Sequence, residues 1–434
     1  MDVNQISQAA ITLMQEGQLN KAIEKYLEAR QLEPQNLSIA ANLAAAFLAA
    51  KRISEAEHII EQGLLQDPSY PALLKNYAIL LSVNKKFPEA IDAYAKALES
   101  DPQDATTYQN LAKTWLRQGK PDEARKVYEQ FLKAYPENII MTIALGDLLF
   151  SMRKFDDALA CFEKVSVLDK TSPTGKNKIA TTLMMMGKSK EAYQMFEEIL
   201  KTYPDLPDVQ NNMSATLMQQ GAFDKAITLL KTLTKEHPDS VNARSNLANC
   251  YFMTGQLEEA KELTEGILKD NPLDANHLLL YARILTRGKQ FDLAKSEYRK
   301  ILDQYKNNLA PYLELGKLEM QSGEFDGAIQ TFQSALEFFP EHHGVFEGLG
   351  LAQFNRGYHD KGIMMLEQAL KLNPKSMSAY DALIGIHYMM GRYKEAIQLF
   401  AEYEKTGQSF NPEQFKNLAK IKSIKADLDK RKKF

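Results

Sequence analysis

Nine of the sixteen prolines fall on multiples of 34: Pro34, Pro68, Pro102, Pro136, Pro204, Pro238, Pro272, Pro340 and Pro374. Scattered at random, sixteen prolines would put about half of one in any single phase of such a period. A chain with this regularity is one supersecondary unit copied in series, and most globular architectures open to 434 residues are excluded.

The small residues keep the same phase. Twelve positions before each mark stand Ala22, Ala56, Ala90, Ala124, Ala158, Ala192, Ala226, Ala260, Ala294, Ala328, Gly362 and Ala396. Twenty-four before it stand Ala10, Ala44, Ala78, Ala112, Gly146, Ala180, Ser214, Ala248, Ala282, Gly316, Gly350 and, as the one departure, Ile384. Two antiparallel helices approach closely only where no bulky side chain separates their backbones. Large apolar residues surround these columns at helical spacing. In the fourth unit Tyr108, Leu111, Ala112 and Trp115 form one face, and Ala124, Tyr128 and Phe131 form the facing one. Gly119 lies between them, where a turn wants tolerance of positive φ. That position is Gly in eight units and Lys51, Lys85, Arg153 and Lys289 in the others.

This pattern resembles the tetratricopeptide repeat (TPR) family, from residue 3 to about 408 without insertion or deletion. The resemblance implies an all-α, right-handed superhelical α-solenoid of antiparallel helix pairs. Residues 1–408 are read as twelve tandem 34-residue repeats forming one solenoid, and 409–434 as a basic C-terminal capping helix. Two junctions depart from the pattern. Lys170 and Lys306 stand where proline is expected, with Ser172-Pro173 as a helix start after the first and Pro311 displaced after the second. Each is either a softer joint or neutral variation.

Past the repeats, Asn411 is placed to cap a helix beginning at Pro412, with Phe415, Leu418, Ile421, Ile424 and Leu428 as its apolar stripe. A solenoid needs such a unit to cover its last hydrophobic face. The segment also holds eight Lys/Arg against three Asp/Glu and ends in Lys430-Arg431-Lys432-Lys433, so contact with an anionic membrane or RNA is the competing reading.

In the resembling family the first helix of each hairpin lines the concave groove. That implies an inner asparagine column of Asn42, Asn76, Asn110, Asn212 and Asn246, flanked by Asn177, Asn211 and Asn249. An amide both donates and accepts, so a ladder of them can grip any peptide backbone. The alternative is that these amides solvate the face or bond the neighbouring helix. Met184, Met185, Met218, Phe252 and Met253 fall on the same faces, as core or as adaptable partner contacts. The family's carboxylate clamp for acidic chaperone tails is not supplied. Lys75 is the only lysine at its opening position, and Ile79 stands where the clamp needs Asn.

The balance of 53 Lys/Arg against 56 Asp/Glu does not mark nucleic acid as the main partner. Cys161 and Cys250 match no metal or redox spacing, the N-terminus reads as no signal peptide, and no run spans a bilayer, so a cytoplasmic location is expected. His58, His237, His277, His342, His343, His359 and His387 form no ligand pair, and no phosphate loop or nucleophile elbow occurs. No enzyme, cofactor or metal is expected. The leading expectation is a protein-binding adaptor or scaffold, with a self-assembling structural protein or a membrane- or RNA-associated scaffold as alternatives.

Overall fold

A computed structural model describes residues 2–431, with side chains through residue 426. Twenty-five helices and no strand occur among the described residues. The chain divides into two compact units, Met1–Thr216 and Leu217–Phe434.

The first unit begins with the hairpins α1 (Val3–Gln15) and α2 (Leu19–Leu32), α3 (Leu37–Ala49) and α4 (Ile53–Gln66), and α5 (Pro71–Val83) and α6 (Phe87–Ser100). Next come α7 (Ala105–Arg117) and α8 (Pro121–Ala134), α9 (Ile139–Ser151) and α10 (Phe155–Leu168), and α11 (Thr174–Met185) and α12 (Ser189–Thr202). The boundary lies inside α13 (Pro207–Gln219). The second unit continues with α14 (Phe223–Glu236), α15 (Val241–Thr254), α16 (Leu257–Asp270), α17 (Ala275–Arg287), α18 (Phe291–Gln304) and α19 (Leu309–Gln321). It ends with α20 (Phe325–Phe338), α21 (His343–Asn355), α22 (His359–Leu372), α23 (Met377–Met389), α24 (Tyr393–Lys405) and α25 (Lys416–Arg431).

Each hairpin is closed by a left-handed residue. Lys51, Lys85, Arg153 and Lys289 adopt φ of 58–61°, the conformation that glycine takes at the same place in the other hairpins. At Gly119 the amide donates to Leu116, and the Lys120 amide donates back to Trp115, so two carbonyls at the helix end are satisfied. Several first helices start under side-chain caps, as where Asn36 accepts from the amides of Ser38 and Ile39, or Ser240 from that of Ala243.

The small columns are the places of closest approach. A Cβ on Gly350 would lie 2.8 Å from the Gly362 carbonyl oxygen, and one on Gly362 would lie 2.7 Å from that of Gly350. Gly146 and Gly316 instead receive the rings of Phe162 and Phe332, which a Cβ would meet at 2.5 and 2.4 Å. The departure at Ile384 is wholly buried, in one cluster with Ala396, Phe400, Leu418 and Ile421.

The C-terminal segment corrects one expectation. Asn411 forms a local turn, accepting from the Glu413 amide at 2.9 Å, and α25 starts only at Lys416. Its cap is remote: one carboxylate oxygen of Asp381 accepts from the amides of Asn417 and Leu418, each at 2.9 Å. Leu418 and Ile421 are buried against the last hairpin, with Phe415 and Ile424 beside them. The side chains of Leu428, Lys430 and Arg431, and all of Lys432 and Lys433, lie outside the described residues. At the Lys170 junction the Ser172 hydroxyl caps the Thr174 amide at 3.2 Å. The helices there are close, since a Cβ on Gly175 would lie 2.7 Å from the Ser166 nitrogen.

Two substitutions test these packing rules in urea unfolding. Gly350→Ala should lower stability by about 1–3 kcal/mol by forcing α21 and α22 apart. Lys85→Gly should raise it by about 0.5–1 kcal/mol, because the left-handed strain on an exposed lysine exceeds the entropy cost of glycine.

Candidate binding face

Within each unit the odd-numbered helices of successive hairpins touch directly: α3 with α5, α5 with α7, α15 with α17, α19 with α21 and α21 with α23. Among the described residues no even-numbered pair is packed as closely as these. Elements that crowd together lie inside a bend, which puts these odd-numbered helices on the inner face of their unit.

Polar bonds join neighbouring hairpins along that face. Lys75 donates to the Asp104 carboxylate at 2.8 Å and to the Thr106 hydroxyl at 3.2 Å. Lys178 pairs with Asp147 at 2.6 Å, and Ser376 and Ser378 both donate to Glu347. Burial opposes ionisation of Asp104, but hydrogen bonds from Lys75, Thr106 and Thr107 outweigh it and hold the carboxyl well below its ordinary range. Lys75 is therefore a structural cation, which is a further reason why no carboxylate clamp is built around it.

The asparagines divide into classes. Asn76 is buried and donates to the Ala41 carbonyl at 2.7 Å, joining α5 to α3. Asn249 donates to Ser245 of its own helix at 3.0 Å. These two amides are tied into the scaffold, and Asn76 does not stand as a solvent-facing rung. Asn212 reaches Asn177 at 3.5 Å and Thr181 at 3.4 Å, the long limit for such bonds. Asn42 and Asn110 are half-buried, with no side-chain partner among the described residues. Asn211 and Asn246 are half-buried and each holds an interaction.

The apolar candidates divide in the same way. Met184 packs against the core of the first unit, and Met218 is half-buried. Met185 and Met253 are 44% and 55% exposed. Phe252 is half-buried beneath the Arg287 guanidinium, 5.4 Å from its ring centroid.

The sequence reading missed the cations of this face. Lys113, Arg283 and Lys317 share one repeat column with Asn249, and Arg117 and Arg287 share another with Met185 and Met253. Helices α3, α5 and α7 together carry Lys75, Lys113 and Arg117 and no carboxylate. Reading those columns for charge as well as for amides would have found them. His277 bonds Asp274 at 2.9 Å and Ser245 of the preceding hairpin at 2.5 Å, and His343 bonds Glu347 at 3.0 Å with its ring stacked on His342. No group of three or more His, Cys, Asp or Glu able to hold a metal occurs among the described residues. No helix among them is long and apolar enough to cross a membrane.

Asp104→Ala removes the cap of α7 and the Lys75 partner, and should cost about 0.5–2 kcal/mol at neutral pH. Because the folded-state value is depressed, this contribution is present above the ordinary carboxylate range and fades as pH falls through the lower folded value. The stability gap between wild type and Asp104→Ala, followed by urea midpoints, should therefore hold from pH 7 to pH 5 and narrow below about pH 4.

A family model described as tetratricopeptide repeat matches residues 13–80, 81–139, 116–181, 183–244, 217–284 and 285–345, and a second of the same description matches 359–411. Among solved structures, yeast Tom70 aligns over 98% of this chain and 96% of its own, with 14% identity and a TM-score of 0.50. At that identity the likeness concerns the fold. The APC/C hetero-tetramer Cut9-Hcn1 aligns over 97% and 96%, with 13% identity and a TM-score of 0.45. A tetratricopeptide repeat protein from Parabacteroides merdae aligns over 57% of this chain and 98% of its own, with 17% identity and a TM-score of 0.48. No curated protein sequence matches.

Proposed function

The chain belongs to the tetratricopeptide repeat family, and from that membership we propose that it is a non-catalytic scaffold that holds extended partner segments against the inner helices of its units. One observation carries this reading. The inner helices present amide and thioether groups that the hairpin cores leave at the surface, with Met185 and Met253 largely exposed and Asn42 and Asn110 half-buried. In the first unit Asn42, Asn110, Asn177, Asn211 and Asn212 supply polar contacts, and Met184 and Met185 supply apolar ones. In the second, Asn246, Met218, Phe252 and Met253 do so. Each amide bond contributes only about 0.5–1.5 kcal/mol, so affinity comes from several rungs at once. Both cysteines are free thiols, which suits work in the reducing cytoplasm.

Affinity capture from native lysate tests the proposal. Wild type is compared with a variant carrying Asn211→Ala, Asn212→Ala and Asn246→Ala, after circular dichroism shows that both fold alike. A protein recovered by wild type and lost by the variant is the expected result. Equal recovery by both would move the binding surface off the inner face.

A further inference from the structure

On the inner face of the second unit, α15, α17 and α19 surround an open cavity of about 450 Å³. Its apolar wall is made by Phe252 and Leu318. Arg287 lies over the Phe252 ring and donates to the Phe252 carbonyl, so its guanidinium is tethered at that wall. The one carboxylate lining the cavity is Glu314, and it is already committed. Arg283 donates to its two oxygens at 2.5 to 3.0 Å, and the Tyr298 hydroxyl donates at 2.8 Å. Lys317 is exposed at the same cavity, with no partner among the described residues. With Glu314 neutralised by Arg283, the lining leaves two uncompensated cations, Arg287 and Lys317.

Resting on the inner-face reading above, we propose that this cavity takes an apolar side chain from an acidic segment of a partner protein, whose flanking carboxylates pair with Lys317 and Arg287. The cavity is large enough to admit an aromatic or aliphatic anchor, the usual source of affinity in such contacts. Charge decides the flanks. A basic segment would bring like charges together around Lys317 and Arg287, and a neutral one would cover those cations without compensating them. The planar guanidinium of Arg287 serves twice, as a lid on the Phe252 ring and as a fork for a carboxylate.

Fluorescence anisotropy on the full chain tests this with three labelled dodecapeptides that share a central phenylalanine flanked by glutamates, serines or lysines. The glutamate peptide should bind at least tenfold more tightly than the serine peptide, and the lysine peptide least. Replacing its phenylalanine by serine should weaken it at least tenfold, and added salt should weaken it progressively. Lys317→Glu, at an exposed position that leaves the fold intact by circular dichroism, should weaken it at least tenfold, while Lys269→Glu on α16 should not. A glutamate peptide that binds no better than the serine one, or that is indifferent to Lys317→Glu, overturns the proposal. If the asparagine variant still loses its captured partner in that case, the inner-face reading stands without this pocket. If it does not, both fall.

Discussion

Backbone contact between paired helices is the constraint on which this architecture depends. Where Gly350 meets Gly362, neither can gain a methyl group without striking the other's carbonyl. The alanines at the equivalent places in other hairpins are wholly buried. Once that distance is set, the rest of each hairpin follows. A small residue on one helix admits a large ring or branched chain from the other, as Gly146 admits Phe162 and Gly316 admits Phe332. The left-handed turn residue sends the second helix back at the required angle, and four hairpins accept strain at lysine or arginine to keep that turn.

Because each hairpin buries its apolar residues against its neighbours, cohesion within a unit is local. The polar bonds show the same locality. Lys75 to Asp104, Asp147 to Lys178 and Arg283 to Glu314 each join helices one repeat apart. Inner-helix side chains with no such bond among the described residues, Asn42 and Asn110 among them, are available for another purpose. That separates Asn110 from Asn76, although both occupy the same column.

Much of this was legible in the sequence. The 34-residue phase of prolines, small residues and turn residues marked the hairpins, and Lys51, Lys85, Arg153 and Lys289 occupied the left-handed turn because their column required it. What escaped depends on distances between elements that no column encodes. Whether an asparagine faces outward or bonds the next helix is set by how near that helix lies, as Asn76 and the Ala41 carbonyl illustrate. The start of α25 is fixed by Asp381, more than thirty residues earlier in the chain, and not by the local Asn411-Pro412 signal. The boundary inside α13 leaves no mark in the period. The cationic columns were visible, but they acquire meaning only once the partners of Arg283 and Glu314 are known.

The central claim is that the inner helices, and not the outer ones, meet the partner. Site-specific photo-crosslinking measures this directly, with a benzophenone amino acid placed singly at Lys113, Met185 or Met253 on inner helices and at Leu65 or Met364 on outer ones. All five positions are exposed. The account predicts partner adducts from the inner positions and none from the outer pair. Adducts confined to Leu65 and Met364, or equal at all five, would contradict it.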